Sequence, residues 1–217
     1  MKISIWCSDR AHPVFPRLER WAAGRRANHE VGFVSSRAEA AGGDLLFLIS
    51  CNEIVPASVR GRYRKTLVIH ASDLPRGRGW SPYVWQVLEG KNRIPVTLLE
   101  AEDAVDSGAI WAQRDLSLEG HELFDEIAAR LFELELELMY LAVDEFDSVR
   151  PRPQDLSKGV THYRRRTPAD SRLDPEKSIA AQFDLLRVCD GTRFPAFFDW
   201  RGHRYALRLE KIRGDQP

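Results

Sequence analysis

The sequence predicts an α/β fold built on a mostly parallel, doubly wound sheet. Over roughly the first hundred residues, short apolar runs typical of strands alternate with helical stretches. One run, DLLFLIS at 44–50, is apolar almost throughout, as expected for a strand covered on both faces. A long amphipathic helix is predicted after the last of these strands.

The predicted elements follow one another closely. A helix at 13–24 begins with prolines and is expected to stop at Gly24, and a helix at 81–90 has Ser81 as N-cap, Pro82 in its first turn and Gly90 as stop. The link between the second and third strands is too short for a regular helical crossover. The strands are predicted at 2–7, 30–36, 44–50, 65–70 and 94–100.

The second half of the chain changes in character. Residues 108–118 look extended, and apolar residues then recur at spacings of three and four over 119–146, which indicates one apolar face of a long helix. From 147 the chain is rich in Pro, Arg and Asp and is predicted to be irregular. A short helix within 175–189 and a hairpin within 196–210, turning near Arg201 and Gly202, are expected to follow. We therefore predict a catalytic domain at 1–146, and at 147–217 an irregular segment, short helix and β-hairpin that complete the substrate side.

Composition narrows the classes of function. Lys plus Arg and Asp plus Glu both number 32, so no net charge favours binding to nucleic acid or an anionic membrane. The N-terminus lacks a signal-peptide pattern, and no apolar run is long enough to cross a membrane. The three cysteines are far apart and form no CxxC pair, which predicts reduced thiols, a cytoplasmic protein and no metal site.

Three loops are the expected location of the chemistry. In an open parallel sheet, ligands bind outside the carboxyl ends of the strands, which selects the loops at 50–56, 70–82 and 100–108. His70 is the only histidine at such a strand end, and Asp106 lies in the acidic loop able to reach it. A carboxylate beside an imidazole fixes its tautomer and makes a general acid–base pair. The simpler alternative is that His70 ends a strand and Asp106 caps a turn.

Other catalytic motifs are missing from the sequence. No GxSxG elbow presents a nucleophile, and no GxxxxGK[ST] loop could bind a phosphate. The RGRG stretch at 76–79 is not GxGxxG and does not follow the first strand, which argues against a nicotinamide dehydrogenase.

Two of these loops carry motifs of a known family. The first motif, H-x-S-x-L-P, and the second, L-D-x-G-x-I, lie at the family's spacing, and ISCNEIVP at 49–56 matches its pterin-side loop. The motif residues here are His70, Ser72, Leu74 and Pro75, then Val105, Asp106, Gly108 and Ile110. The chain, over roughly residues 44–146, thus resembles the formyltetrahydrofolate-dependent formyltransferases, which include methionyl-tRNA, glycinamide ribonucleotide and sugar N-formyltransferases. This resemblance implies a Rossmann-like domain.

The resemblance also implies a reaction and a site. N10-formyltetrahydrofolate would donate a formyl group to an amine, with His70 and Asp106 as catalytic residues. The residues implied to bind the donor are Asn52, Glu53, Ile54, Ser72, Leu74, Pro75, Glu102, Asp103, Ala104, Val105 and Asp106. Trp80, Ser81, Tyr83, Arg165 and Arg166 are candidate substrate contacts, although Trp80 and Tyr83 could instead pack at the helix start, and the run Arg164–Arg166 could be a solvated basic loop.

One position departs from the family motif. The family usually has an asparagine two residues before the histidine, and here that residue is Val68. Either another group, for which Asn52 is a candidate, supplies the missing donor, or this branch works with His70 and Asp106 alone.

Stretches around the motifs are similar to short sugar N-formyltransferases of the pseudaminic-acid pathway. They include HASDLPRGRGWSP at 70–82 and RRTPADSRLDP at 165–175. This resemblance implies a nucleotide-linked amino sugar as substrate, a UDP-4-amino-4,6-dideoxy sugar in the first instance, and no nucleic acid or membrane partner. Only about 70 residues follow the long helix, fewer than the tRNA enzyme needs for its barrel and connecting segment. A non-sugar amine substrate, an inactive folate-binding homologue, RNA binding through HYRRR and a homodimer stay open.

Overall fold

The protein is described by a computed structural model over residues 1–212, and its centre is a six-stranded sheet in the order β2-β1-β3-β4-β6-β7. Two further pairs, β5 with β8 and β9 with β10, lie outside this sheet. The strands are β1 (Lys2–Trp6), β2 (Glu30–Val34), β3 (Gly43–Leu48), β4 (Tyr63–His70), β5 (Arg78–Gly79), β6 (Arg93–Glu100), β7 (Ile110–Ser117), β8 (His162–Tyr163), β9 (Ala196–Trp200) and β10 (His203–Leu207).

Between residues 1 and 212, five α-helices accompany the strands, and the longest is the amphipathic helix that the sequence predicts. They are α1 (Phe15–Arg25), α2 (Ala57–Arg60), α3 (Pro82–Leu88), α4 (Phe124–Asp144) and α5 (Phe183–Arg187). Helix α4 buries one face, including Ile127, Leu131 and Leu138, against the sheet, because its apolar residues recur every three or four positions. Its other face is charged and solvated.

The prediction of a mostly parallel sheet is confirmed, with one correction to its direction. Strands β1 to β4 run parallel, but β6 pairs antiparallel with β4, and β7 antiparallel with β6. The last residue of β6, Glu100, therefore pairs with Leu67 in the middle of β4 and does not lie at the edge of the sheet where β4 ends. The loop after β6 nevertheless brings Asp106 to His70, the last residue of β4.

The main core lies between the sheet and helices α1, α3 and α4. Its fully buried side chains include Ile5, Trp21, Phe47 and Leu138. Burying large apolar side chains of this kind contributes about 1.5–3 kcal/mol each. A second cluster, with Trp6, Leu46 and Val59, covers the opposite face of the sheet beneath α2. The sheet is thus covered on both faces, as the apolar β3 predicts.

Several local predictions are refined by the structure. Helix α1 continues past Gly24 to Arg25, and Ser81 precedes α3 in a left-handed conformation without capping it through its side chain. The predicted hairpin is confirmed, with a turn at Arg201 and Gly202. The predicted helix at 175–189 forms only a 3-10 turn at Ala180–Gln182 followed by α5. None of the helices between residues 1 and 212 is long and apolar enough to cross a membrane.

Candidate active site

His70 ends β4 with its imidazole almost fully buried and both ring nitrogens facing oxygen atoms. Nε2 lies 2.8 Å from the carbonyl oxygen of Gly77, and Nδ1 lies 3.5 Å from Oδ2 of Asp106. A carbonyl oxygen can only accept a hydrogen bond, so Nε2 carries a proton in this arrangement. The nitrogen left to gain or lose a proton is therefore Nδ1, which faces the carboxylate.

Asp106 is held in place by the loop that carries His70. Its Oδ2 accepts a 2.8 Å hydrogen bond from the backbone N–H of Gly79, and its side chain is nearly as buried as that of His70. The backbone at Asp106 is left-handed, with φ of 54°, a conformation that aspartate tolerates better than most residues. The structure thus brings together the two residues predicted to be catalytic, as an ion pair if His70 is protonated.

The loop between His70 and α3 depends on glycine. Gly77 and Gly79 both have positive φ, and a Cβ at Gly79 would lie 2.4 Å from the carbonyl oxygen of Tyr163. This close approach exists because β5 pairs with β8 of the segment after α4, in the register Arg78 to His162 and Gly79 to Tyr163. The loop that follows His70 is therefore fixed by a strand from the other half of the chain.

Val68 stands where the family motif has asparagine, and it belongs to an apolar wall. Its half-buried side chain contacts a small cluster formed by Leu74, Leu99 and Ile110 and also touches the second core cluster. An amide at this position would be placed among apolar groups at a cost unless a partner satisfied it. Asn52, the candidate replacement donor, is exposed, and its backbone N–H donates to Ser8 Oγ.

The residues predicted to contact the formyl donor fall into two groups. Two exposed loops, 52–54 and 102–105, present backbone groups together with the exposed side chains of Ile54 and Val105. Ser72, Leu74 and Pro75 are instead buried and shape the catalytic loop from inside. Ser72 also accepts a hydrogen bond on its carbonyl oxygen from Thr97 Oγ1. Donor contact stays a prediction for all of them.

The predicted substrate residues are also divided. The guanidinium of Arg165 lies 4.8 Å from the centre of the ring of Trp80, which is partly exposed. Trp80 directly follows Gly79, whose N–H donates to Asp106. Ser81 is exposed beside them. Arg166 instead donates to the carbonyl oxygen of Asp170. Arg164 forms an ion pair with Asp170 and lies over Trp85, so this member of the Arg run has a structural role.

Tyr83 packs inward from α3 against the main core, the alternative that the sequence left open. Burial, together with the charge of Glu135, raises the pKa of Tyr83 to about 12. Glu135 lies on α4, and sequence reasoning does not single it out, because it falls within an alternating ELELEL run. Its Oε2 atom is buried and has no hydrogen-bond partner among residues 1–212, and burial raises its pKa to about 8.

The pKa of Glu135 predicts how stability depends on pH. Because the pKa is about 8 in the fold and 4.5 ordinarily, the native state binds the proton more tightly than the unfolded state. The stabilisation is fully present below pH 4.5, where both states are protonated, and is lost as pH rises from 4.5 toward 8, by at most about 1.4 kcal/mol per pH unit. Glu135→Gln should flatten this part of the profile, as measured by urea unfolding at several pH values. Parallel profiles for the two proteins would contradict the assignment.

Comparison with known protein families identifies the chain. The family model described as formyl transferase matches residues 7–143, more than half of the chain and the part that contains both His70 and Asp106. The chain belongs to the formyl transferase family. The formyl donor of this family is N10-formyltetrahydrofolate, which agrees with the donor that the sequence resemblance implies.

Curated relatives of the formyl transferase family include proteins that act on different amines. The methionyl-tRNA formyltransferase of Rickettsia typhi is 31% identical over 132 residues, which are 60% of this chain and 43% of that protein. The dTDP-4-amino-4,6-dideoxyglucose formyltransferase of Mycobacterium tuberculosis is 32% identical over 107 residues, which are 49% of this chain and 44% of that protein. The chain thus matches less than half the length of these relatives.

Several solved structures share the fold over nearly the whole chain. A methionyl-tRNA formyltransferase from Clostridium thermocellum has a TM-score of 0.84 at 18% identity, covering 98% of this chain and 94% of that one. A sugar N-formyltransferase from a Shewanella species has a TM-score of 0.74 at 17% identity, covering 98% and 99%. HypX from Aquifex aeolicus in complex with tetrahydrofolic acid has a TM-score of 0.75 at 22% identity, covering 99% of this chain and 39% of that one.

Proposed function

We propose that the protein transfers the formyl group of N10-formyltetrahydrofolate to the amine of a nucleotide-linked amino sugar. The observation that carries this proposal is the pair of His70 and Asp106, held 3.5 Å apart at the motif positions of the formyl transferase family. Beside the pair lies the Trp80–Arg165 stack, an aromatic face and a cation suited to a base and a phosphate.

The surroundings of the pair fit a pterin. Val68 is half-buried above the buried side chains of Leu74, Leu99 and Ile110, and it is the member of this cluster suited to contact one face of a flat ring. The exposed backbone of loops 52–54 and 102–105 provides N–H and C=O groups for the ring edge. The donor, when bound, supplies an activated formyl carbon. Residues 52–54 and 102–106 would hold it.

The proposed chemistry is a direct transfer. The amine forms a bond to the formyl carbon, the bond from that carbon to N10 breaks, and the proton lost by the amine ends on N10. Asp106 accepts the amine proton, directly or through a water, shares it with His70 Nδ1, and returns it to N10 as the bond from N10 to the formyl carbon breaks. Because Nε2 is held by the Gly77 carbonyl, the ring exchanges protons only through the nitrogen that faces Asp106.

The sugar assignment is supported by the sequence resemblance and by the dTDP-amino sugar relative. We further propose a 4-amino sugar, linked to UDP as in the pseudaminic-acid pathway. Residues 1–146 would act as the catalytic domain, and the later segment would complete the substrate side. The free thiols of Cys7, Cys51 and Cys189 are consistent with a cytoplasmic enzyme. Methionyl-tRNA is the second candidate acceptor, because relatives with that activity match the same residues.

A direct assay tests the function. Release of tetrahydrofolate from N10-formyltetrahydrofolate should be measured spectrophotometrically with UDP- and dTDP-linked 4-amino sugars, with methionyl-tRNA and with hydroxyornithine. We expect turnover with an amino sugar nucleotide and mass-spectrometric detection of the N-formyl product. Turnover with methionyl-tRNA or hydroxyornithine alone would overturn the sugar assignment, and donor binding without turnover on any amine would indicate an inactive homologue.

A further inference from the structure

Gln154, in the segment after α4, connects the two catalytic loops. Its Nε2 donates to the carbonyl oxygens of Asp106 and Gly108 at 2.8 and 2.9 Å. Its Oε1 accepts a 2.7 Å hydrogen bond from the guanidinium of Arg78, in the loop that carries His70. A single side chain thus uses both hydrogens of its amide on the aspartate loop and its oxygen on the histidine loop.

The hydrogen bonds of Gln154 hold the backbone of Asp106 in an uncommon conformation. Asp106 has a φ of 54°, in the left-handed region that residues other than glycine adopt infrequently, so this conformation persists where surrounding contacts hold it. Gln154 binds the carbonyl oxygen of Asp106 itself and that of Gly108, two residues further along. It therefore fixes the conformation from which the Asp106 carboxylate reaches His70.

Arg78 explains why the connecting group is a neutral amide. The Arg78 side chain is 9% exposed and forms no ion pair among residues 1–212, so Gln154 Oε1 is the oxygen that accepts from its guanidinium there. Its Nε is buried and has no partner within the described part of the chain. Gln154 can satisfy Arg78 and two carbonyl oxygens at once because an amide both donates and accepts. A glutamate here could accept from Arg78 but could not donate to the aspartate loop.

A second contact from the same segment fixes the histidine side. Thr161 Oγ1 accepts a 2.8 Å hydrogen bond from the N–H of Gly77, and the Thr161 carbonyl oxygen accepts from the N–H of Arg78. The carbonyl of Gly77 is the group that binds His70 Nε2. The segment at 154–161 thus binds the backbone of Asp106 directly and reaches His70 through Gly77. This segment lies outside the residues 7–143 that match the family model.

We propose that Gln154 is a positioning residue for the Asp106–His70 pair, with Thr161 supporting it from the histidine side. Gln154 acts through the backbone of Asp106 and does not itself touch the reacting atoms. This proposal rests on the proposed function for its kinetic test, and its spectroscopic test below is independent of any substrate.

The test compares Gln154→Met with a matched control. Methionine keeps the length of the side chain and removes all three hydrogen bonds. Gln182 offers the control, because its amide also donates to backbone carbonyls, those of Asp174 and Lys177, and accepts from the N–H of Asp174, outside the catalytic loops. We expect kcat to fall about 10²-fold in Gln154→Met, the scale of a small misplacement of a catalytic group, with KM changed less than about threefold. Gln182→Met should keep the wild-type kcat.

Two further readouts separate positioning from loss of structure. Gln154→Glu, which keeps the acceptor for Arg78 but loses both donors, should be as slow as Gln154→Met. The pH profile of kcat/KM should shift in both Gln154 variants, since the distance between His70 and Asp106 changes, and thermal unfolding should show that both variants stay folded at the assay temperature. An unchanged kcat and pH profile in folded Gln154→Met would overturn the proposal.

The ring of His70 gives a readout without turnover. Long-range nitrogen–proton NMR spectra, with the His70 signal assigned from its loss in His70→Asn, should show the Nε2–H tautomer in the wild type and in Gln182→Met. We expect shifted or broadened His70 signals in Gln154→Met. If no amine is a substrate, the proposed function fails while this measurement still decides the role of Gln154; unchanged His70 signals would contradict it.

Discussion

Replacing His70 with asparagine, or Asp106 with asparagine, is expected to reduce kcat by about 10³-fold, within the range typical of general acid–base groups. The His70 substitution removes the ring nitrogen that faces the carboxylate. The Asp106 substitution keeps the shape of the side chain but removes its capacity to accept a proton. Steady-state release of tetrahydrofolate on the identified amine measures both effects.

Because the two side chains would move one proton between them, the double variant should be little slower than either single variant. Circular dichroism and thermal unfolding establish that the variants are folded. The exposed pair of His121 and Glu119, 3.2 Å apart on the surface, provides the control, and His121→Asn with Glu119→Gln should keep the wild-type rate. Wild-type rates in both His70→Asn and Asp106→Asn would exclude the catalytic assignment.

Replacing Gly108 with alanine is expected to have the second-largest effect. A Cβ at this position would lie 2.0 Å from the carbonyl oxygen of Glu100 and 2.7 Å from its carbon, and backbone atoms of β6 cannot move aside without breaking the sheet. The loop would have to open, which separates Asp106 from His70. We expect the free energy of unfolding to fall by about 2–3 kcal/mol, as for overpacked interiors, and kcat to fall about 10²-fold.

Gly32 in β2 is the matched control for this substitution. An added Cβ at Gly32 meets no atom within 4 Å, so Gly32→Ala should unfold at the same denaturant concentration as the wild type or at a higher one. Its turnover should equal that of the wild type. Equal stability and activity of Gly108→Ala and Gly32→Ala would show that the approach of the loop to Glu100 is not required in solution.

The periodicity of the sequence is sufficient to predict most strands and the long helix, but not the direction in which each strand runs in the sheet. Strands β1 to β4 and helix α4 follow from apolar spacing, and the hairpin follows from the Arg201–Gly202 turn. The antiparallel direction of β6 does not, because an apolar run such as IPVTLLE has the same pattern in either direction. The rule that placed Asp106 at the carboxyl edge was therefore applied to the wrong kind of strand, although Asp106 does reach His70.

The candidate site is predictable to a similar extent. His70 and Asp106 follow from their loops and from the family motifs. Gln154 and Thr161 do not, because their contacts join side chains to backbone atoms far away in the sequence, and such contacts leave no periodic pattern. The pairing of β5 with β8 is only two residues long, which is too short to produce a recognisable sequence pattern. Tyr83 is visible in the sequence but its role is not, since an aromatic residue at the start of a helix can face a ligand or the core.

The pairing of β5 with β8 has a consequence for synthesis of the protein on the ribosome. His70 and Asp106, the two residues proposed to be catalytic, are made by the time α4 is complete, yet the segment at 154–163 that holds their loops follows later in the chain. A nascent chain that ends after α4 would carry His70 and Asp106 without the partners that orient them. The proposed formyl transfer activity should therefore appear late in translation, when Tyr163 has left the exit tunnel.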